Sequence, residues 1–150
     1  MPKTTFWKAD RDGAREHDPI RGADYIWRPD YAKRQLAWFE SNLRHVKGPD
    51  AGKPLVFEPW QSEFLGALYG WRVYGHEEIG RYRRALLEVA RGNGKSTKAA
   101  AVGLRGVARR SAPLVIGAAT DREAAGIVFG DAARMVRANP RLLEHLKVID

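Results

Sequence analysis

The sequence of 150 residues lacks cysteine and long apolar runs. Without cysteine there is no disulfide framework and no thiolate chemistry, and a reducing cytoplasm is the expected location. No apolar run approaches the roughly 20 residues that a membrane helix needs, and the N-terminus has no apolar signal core. Internal repeats and low-complexity tracts are also missing. We therefore expect a soluble cytoplasmic protein with no membrane partner.

The composition supports a folded domain with a basic surface. Hydrophobic residues make up 44% of the chain, and five Trp, five Tyr and five Phe are enough for a core. Lys and Arg number 26 against 18 Asp and Glu, so the net charge is +8 and the isoelectric point is near 10.0. That balance fits either a polyanionic partner such as nucleic acid or a basic face that is merely solvated.

The first part of the chain predicts an arm followed by helices. Residues 1–29 are rich in charge, Gly and Pro, which indicates an extended N-terminal arm. Apolar residues then recur at intervals of three and four over residues 31–46, as one face of a helix requires. A loop at 47–53 and a short extended segment at 55–57 precede a second helix over 59–73, and a turn is expected at 75–80. The arm's aromatic residues, which either anchor it or simply pack on the domain, are Phe6, Trp7, Tyr25 and Trp27; the predicted buried face of the second helix holds Trp60, Phe64, Leu68 and Trp71.

Two strand-to-helix units follow, and they indicate an α/β domain. The near-continuous apolar run at 85–90 is typical of a buried parallel strand, and a helix is expected over 95–110. A second apolar run at 113–118 leads to a helix over 124–138, which Thr120 and Glu123 would cap reciprocally. Ile127, Val128, Met135 and Val136 are its predicted buried residues. A short helix is expected through residue 146. Since a parallel sheet needs more than two strands, we expect the sequence to be the N-terminal part of a longer protein.

Residues 86–97 carry the strongest chemical signal, reading Leu-Leu-Glu-Val-Ala-Arg-Gly-Asn-Gly-Lys-Ser-Thr. The second half of the phosphate-loop pattern Gly-x-x-x-x-Gly-Lys-Ser/Thr is present, but Val89 stands where its first glycine belongs. The stretch follows a predicted strand and opens a predicted helix, whose N-terminal N–H groups and dipole attract phosphate. We therefore predict a nucleotide-binding loop rather than a glycine turn that binds nothing.

The residue types assign roles around ATP and Mg²⁺. Backbone N–H groups of residues 92–96 would surround the β-phosphate, and Lys95 would contact the β- and γ-phosphate oxygens. The Ser96 hydroxyl would bind Mg²⁺, and Thr97 would help hold the α-phosphate. Arg91 would either offset charge at the γ-phosphate or form a salt bridge with a neighbouring carboxylate. The predicted nucleotide-binding residues in this loop are Gly92, Asn93, Gly94, Lys95, Ser96 and Thr97, and the catalytic ones are Arg91 and Lys95.

Several stretches together resemble one known family. They are His45-Val46-Lys47-Gly48, Gly52-Lys53-Pro54-Leu55, Phe57-Glu58-Pro59-Trp60-Gln61, Ala90-Arg91-Gly92-Asn93-Gly94-Lys95-Ser96-Thr97 and Gly117-Ala118-Ala119-Thr120-Asp121-Arg122-Glu123-Ala124-Ala125. They resemble the large terminase subunit of tailed bacteriophages, the ATPase that drives DNA into the capsid. In that family the phosphate loop usually holds an arginine and often lacks the first glycine, which accounts for Val89.

The resemblance implies a P-loop NTPase of the ASCE type, with a parallel sheet flanked by helices over residues 30–150 and a helical segment before it. It makes Gln61 the residue that reads adenine and Arg91 an arginine finger or sensor. It also implies double-stranded DNA, a small terminase subunit, a capsid portal and a homo-oligomeric ring as partners. The family's Walker B acids and nuclease domain are not in this sequence. We therefore expect these residues alone to bind ATP weakly and to hydrolyse almost none.

Two other functions fit the residues. A helicase-like or other nucleic-acid-stimulated P-loop ATPase would also place a glutamine before its phosphate loop. A non-catalytic basic DNA-binding module would use the glycines merely to turn the chain.

Overall fold

Four strands and five helices form within residues 13–19, 21–109 and 114–149, which the computed structural model describes. Contacts group the chain into two units, one made of residues 1–38 with 56–86 and the other of residues 39–55 with 87–150. In chain order the elements are β1 (Arg15–Asp18), β2 (Ala23–Trp27), α1 (Pro29–Asn42), α2 (Pro59–Gly70), β3 (Trp71–Val73), β4 (His76–Gly80), α3 (Lys95–Val107), α4 (Arg122–Arg137) and α5 (Pro140–Leu143).

The first unit contains an antiparallel sheet with the strand order β1-β2-β3-β4. Its central pair places Trp27 opposite Trp71 and Tyr25 opposite Val73. Strands β1 and β2 also pair antiparallel, so the described part of the predicted arm is a hairpin. Most of the turn predicted at 75–80 is strand β4. The aromatic residues Phe6 and Trp7 lie outside the described residues.

Aromatic packing forms the core of the first unit. Tyr25, Trp27 and Trp71 are buried together with Ala32 of α1. The Trp27 and Trp71 rings are tilted by 55° with their centroids 5.6 Å apart, a favourable geometry for two aromatic rings. Gly70 lies so close to Trp27 that a Cβ atom there would come within 2.2 Å of the ring. The end of α2 is thus fixed by an indole ring from β2.

The predicted helix over 59–73 is confirmed, but it ends at Gly70 and its buried face differs from the prediction. Leu65 and Ala67 are buried, whereas Trp60 is 38% exposed. Its last three predicted residues instead form β3. The helix over 31–46 is also confirmed and ends at Asn42. Periodicity located both helices and marked Phe39 and Leu43, which are buried, but in the second helix it did not identify the side that faces the core.

The second unit contains α3, α4 and α5, together with residues 39–55. Helices α3 and α4 pack on each other. The backbone of Leu55 donates to the carbonyl of Leu43 at 2.9 Å, which closes the loop between them. Asn139 donates from its side chain to the carbonyl of Asn42 at 2.6 Å. The unit's buried apolar residues are Phe39, Leu43, Leu55, Ala100, Ala101, Leu104, Ala133, Met135, Val136 and Leu142.

The helix predicted over 124–138 is confirmed as α4, with Met135 and Val136 buried as predicted, but it begins at Arg122 and its cap differs from the prediction. Asp121 is the N-cap, and its carboxylate accepts from the Ala124 N–H at 2.7 Å. The Thr120 hydroxyl contacts Asp121 instead of forming the predicted capping box. Ile127 is 50% exposed, so it is not the buried residue that the sequence predicted.

The two predicted parallel strands are not found in the described residues. Residues 84–90 and 114–119 form no strand, and the only sheet in the described part of the chain is antiparallel. Leu86, Leu114 and Ile116 are 84%, 83% and 77% exposed. An extended segment becomes a strand only when a neighbouring strand pairs with its backbone. Continuous apolarity indicated a preference for burial, but it could not supply that neighbour.

The length and apolarity of the helices bear on whether any of them could span a membrane. None of those in the described part of the chain is both long and apolar enough to cross a bilayer.

Candidate functional site

A glycine loop leads directly into α3. Gly92 has φ 90° and Gly94 has φ 68°, so both adopt the left-handed region that side chains other than glycine rarely occupy. Gly94 is also the N-cap of α3. The two glycines therefore let the chain turn tightly just before Lys95, as the phosphate-loop prediction requires.

The N-terminus of α3 has backbone donors that no capping side chain satisfies. Gly94 provides no cap, and the first bond within the helix runs from the Lys98 N–H to the Gly94 carbonyl at 3.0 Å. The N–H groups before Lys98 have no partner inside the helix. Together with the positive end of the helix dipole, they form a suitable site for an anion.

Lys95 is folded back over the loop that precedes it. Its Nζ donates to the carbonyl oxygens of Val89 at 2.5 Å and Ala90 at 3.1 Å. The Asn93 side chain donates to the same Ala90 carbonyl at 3.1 Å. The lysine is exposed. Its ammonium group can therefore exchange these carbonyl oxygens for those of a bound anion.

The remaining predicted loop residues lie around the same turn. Ser96 and Thr97 are half-buried in the first turn of α3, and Arg91 is exposed just before the glycines. Arg91 forms no ion pair with any carboxylate of the described residues, so the salt bridge considered for it is not found there. The structure thus places Arg91 to Thr97 in one continuous loop and helix start.

Gln61 lies in the other unit, in the first turn of α2. Its side-chain oxygen accepts from the Glu58 N–H at 3.1 Å, and Glu58 in return caps the helix, so the two residues form a capping box. The sequence carried this signal, because an acceptor at residue 58, Pro59 and a glutamine three residues on are typical of a helix start. The sequence interpretation placed a capping box at Thr120 instead.

Lys98 was missed by sequence reasoning. It is only 4% exposed, and its Nζ donates to the Asn93 carbonyl at 2.7 Å. Burial lowers the pKa of Lys98, and the charge of nearby Lys95 lowers it further. No pattern in the local sequence marks Lys98, because its burial depends on what packs around α3.

A metal site made by the protein alone is not found in the described residues. No group of three or more His, Asp or Glu side chains there could hold an ion. The Ser96 hydroxyl is the predicted metal ligand, and Mg²⁺ commonly binds through one or two protein oxygens together with substrate phosphates.

Comparison with known proteins identifies the family. Residues 59–150 match the family described as the terminase large subunit, ATPase domain. The chain is 30% identical over 115 residues to the terminase large subunit of Enterobacteria phage HK97, an alignment that covers 75% of this chain and 21% of that relative. The chain thus spans about a fifth of the relative's length. No solved structure matches at a significant level.

The family match covers more than half of the chain, and it contains the glycine loop and all of α3 and α4. It confirms the resemblance that Trp60-Gln61 and the arginine-containing loop indicated. The chain belongs to the family of terminase large subunit ATPase domains.

Proposed function

We propose that this chain is the ATP-binding part of a viral DNA-packaging motor, which couples ATP hydrolysis to translocation of double-stranded DNA. The observation that carries the proposal is the uncapped N-terminus of α3, which lies behind two left-handed glycines and beside Lys95. That arrangement lies within the residues that match the terminase ATPase family. Together they favour ATP over other anions.

The loop residues fit a polyphosphate. The N–H groups from Gly92 to Ser96 would surround the β-phosphate, and Lys95 would leave the Val89 and Ala90 carbonyls to contact the β- and γ-phosphate oxygens. The half-buried Ser96 hydroxyl would hold Mg²⁺, which neutralises phosphate charge when bound. Thr97 would support the α-phosphate. This assignment makes the loop a Walker A motif.

Two further residues would complete the nucleotide site. Arg91 would act near the γ-phosphate, where its guanidinium offsets charge that develops during phosphoryl transfer. Its exposure and its lack of a carboxylate partner in the described residues support that role. Gln61 would read the adenine base through the part of its amide that the capping box does not use. In the full-length protein these groups would serve an ATPase, with an endonuclease in another domain.

The parallel sheet of a P-loop NTPase belongs to the same proposal. The apolar segments at 85–90 and 114–118 would become its strands by pairing with strands elsewhere in a longer protein. Their exposed Leu86, Leu114 and Ile116 support this, because pairing would bury those side chains. We accordingly expect the 150 residues alone to bind ATP weakly and to hydrolyse almost none.

DNA would be held through its phosphates, without sequence readout. The net charge of +8 supports contact with a polyanion. Exposed arginines of α4, such as Arg122 and Arg137, are candidates, whereas Arg134 already pairs with Asp131. A small terminase subunit, a capsid portal and further copies of the chain in a ring would be the protein partners, in the cytoplasm of the host cell.

Equilibrium binding of a fluorescent ATP analogue with Mg²⁺ tests the proposal. We expect saturable binding that Lys95→Ala abolishes and that Lys147→Ala, an exposed lysine of the same unit, leaves unchanged. Binding indifferent to Lys95→Ala would favour a basic module whose glycines only turn the chain. Steady-state ATP turnover by the purified chain, lost in Lys95→Ala, would contradict the expectation of negligible hydrolysis.

A further inference from the structure

Lys98 is a charged residue at a buried position of α3. Its side chain is 4% exposed, and its helix buries Ala100, Ala101 and Leu104 as well. An apolar residue would fill such a position without the cost of removing an ammonium group from water. The Lys98 ammonium group instead lies 2.7 Å from the carbonyl oxygen of Asn93, inside the glycine loop.

That hydrogen bond fixes the direction of a neighbouring donor. The peptide unit joining Asn93 to Gly94 is planar and trans, so its C=O and its N–H point in opposite directions. Because Lys98 binds the carbonyl on the buried side, the Gly94 N–H must face away from Lys98. This N–H donates to no other group of the described residues, and it lies between Gly92 and the uncapped start of α3.

We propose that Lys98 is a positioning residue for nucleotide binding, which holds the Asn93 carbonyl so that the Gly94 N–H is presented to the β-phosphate. This rests on the proposed function, because it takes the glycine loop as the phosphate site. The residue lies outside the Gly94-Lys95-Ser96 signature and acts through the backbone, without touching the nucleotide. Left-handed glycines arrange successive N–H groups into a concave anion site, and Lys98 selects which way one of them points.

The nearby positive charges support the same role. Lys95 lies close enough for its charge to disfavour the charge of Lys98. A bound polyphosphate would lie beside both and would offset this repulsion. The buried lysine is therefore better accommodated when the loop holds an anion than when it is empty.

Binding of Mg·ADP to the full chain, measured by calorimetry alongside the melting temperature, tests the inference. Lys98→Met keeps an unbranched side chain, one atom shorter, but removes the donor, and we expect affinity to fall by about tenfold or more at a similar melting temperature. Lys33→Met, at an exposed helical position of α1, is the matched control and should bind as the unaltered chain does. Affinity of Lys98→Met within twofold of the control would overturn the proposal.

A measurement on the unaltered chain decides the matter if Lys98→Met does not fold. Amide hydrogen exchange should show the Gly94 N–H becoming protected when Mg·ADP binds. Exchange at Gly94 that ADP leaves unchanged would refute the proposed orientation. If the unaltered chain binds no ADP, the proposed function itself fails; if it binds ADP through Lys95 but Lys98→Met is neutral, only the role of Lys98 fails.

Discussion

Asp131 of α4 offers the sharpest test of how the second unit is held together. Its carboxylate is completely buried and accepts from Lys47 at 2.8 Å on one oxygen and from Arg134 at 2.6 Å on the other. Asp131→Asn keeps the shape but turns one acceptor into an NH₂ donor. That donor must then face a cation, and the bond to this cation is lost.

The expected loss follows from the burial of the three side chains. A hydrogen bond to a charged group contributes about 1.5–3 kcal/mol, and removing one partner of a fully buried pair costs about 3–5 kcal/mol. Lys47 and Arg134 are 55% and 53% exposed, so water can solvate them after the change. We therefore expect a cost below that of a fully buried pair, about 2–3 kcal/mol for Asp131→Asn.

Urea unfolding of the full chain measures this difference. With an m value of about 2 kcal/mol per molar urea, the midpoint should fall by about 1–1.5 M. Asp50→Asn is the matched control, because it makes the same chemical change in an exposed pair with Lys53 and should leave the midpoint nearly unchanged. Equal midpoints for the two variants would refute the argument that burial makes the Asp131 bridge matter.

Three further changes test the packing, the electrostatics and the capping. Gly70→Ala should destabilise the first unit by about 1–3 kcal/mol in thermal unfolding, because its Cβ would overlap Trp27 at 2.2 Å. Hydrogen bonds from Arg28 lower the pKa of Glu77 below its ordinary 4.5, so this stabilisation is present above pH 4.5 and is lost as the pH falls through the lowered pKa. In the Glu77→Gln variant the melting temperature should therefore decrease less as the pH falls through that acid range. Asp121→Ala should cost about 1 kcal/mol in urea unfolding, since it removes the N-cap of α4.

Each change has a neighbour that serves as its control. Gly126→Ala is neutral or slightly stabilising if the argument for Gly70 holds, because no atom lies within 4 Å of its added Cβ. Glu78→Gln changes an exposed residue of the same strand, and its melting temperature should decrease with falling pH as that of the unaltered chain does. Thr120→Ala should be nearly silent; a loss as large as that of Asp121→Ala would restore the capping role predicted for Thr120.

The candidate site could be predicted from the sequence because its residues are consecutive. Gly92 to Thr97 form a turn and the first turn of a helix, so their spacing along the chain already fixes which groups are neighbours. Gln61 was different. The resemblance implies that it reads adenine, whereas the local sequence Glu58-Pro59-Trp60-Gln61 is typical of the capping bond that it forms with Glu58. Lys98 could not be found from the pattern, because its burial depends on what packs around α3.

The sequence by itself determined the helices and the start of α3, since helical hydrogen bonds join residues only four apart and caps lie next to the turns they close. Only the tertiary structure decided the sheet. Trp27 lies opposite Trp71 in the sheet, although helices α1 and α2 separate the two residues along the chain, so no local pattern identifies the partner. For the same reason the apolar run at 85–90, which indicated a strand, forms none in the described residues. A strand is defined by its neighbour, whereas a helix carries its hydrogen-bond partners within itself.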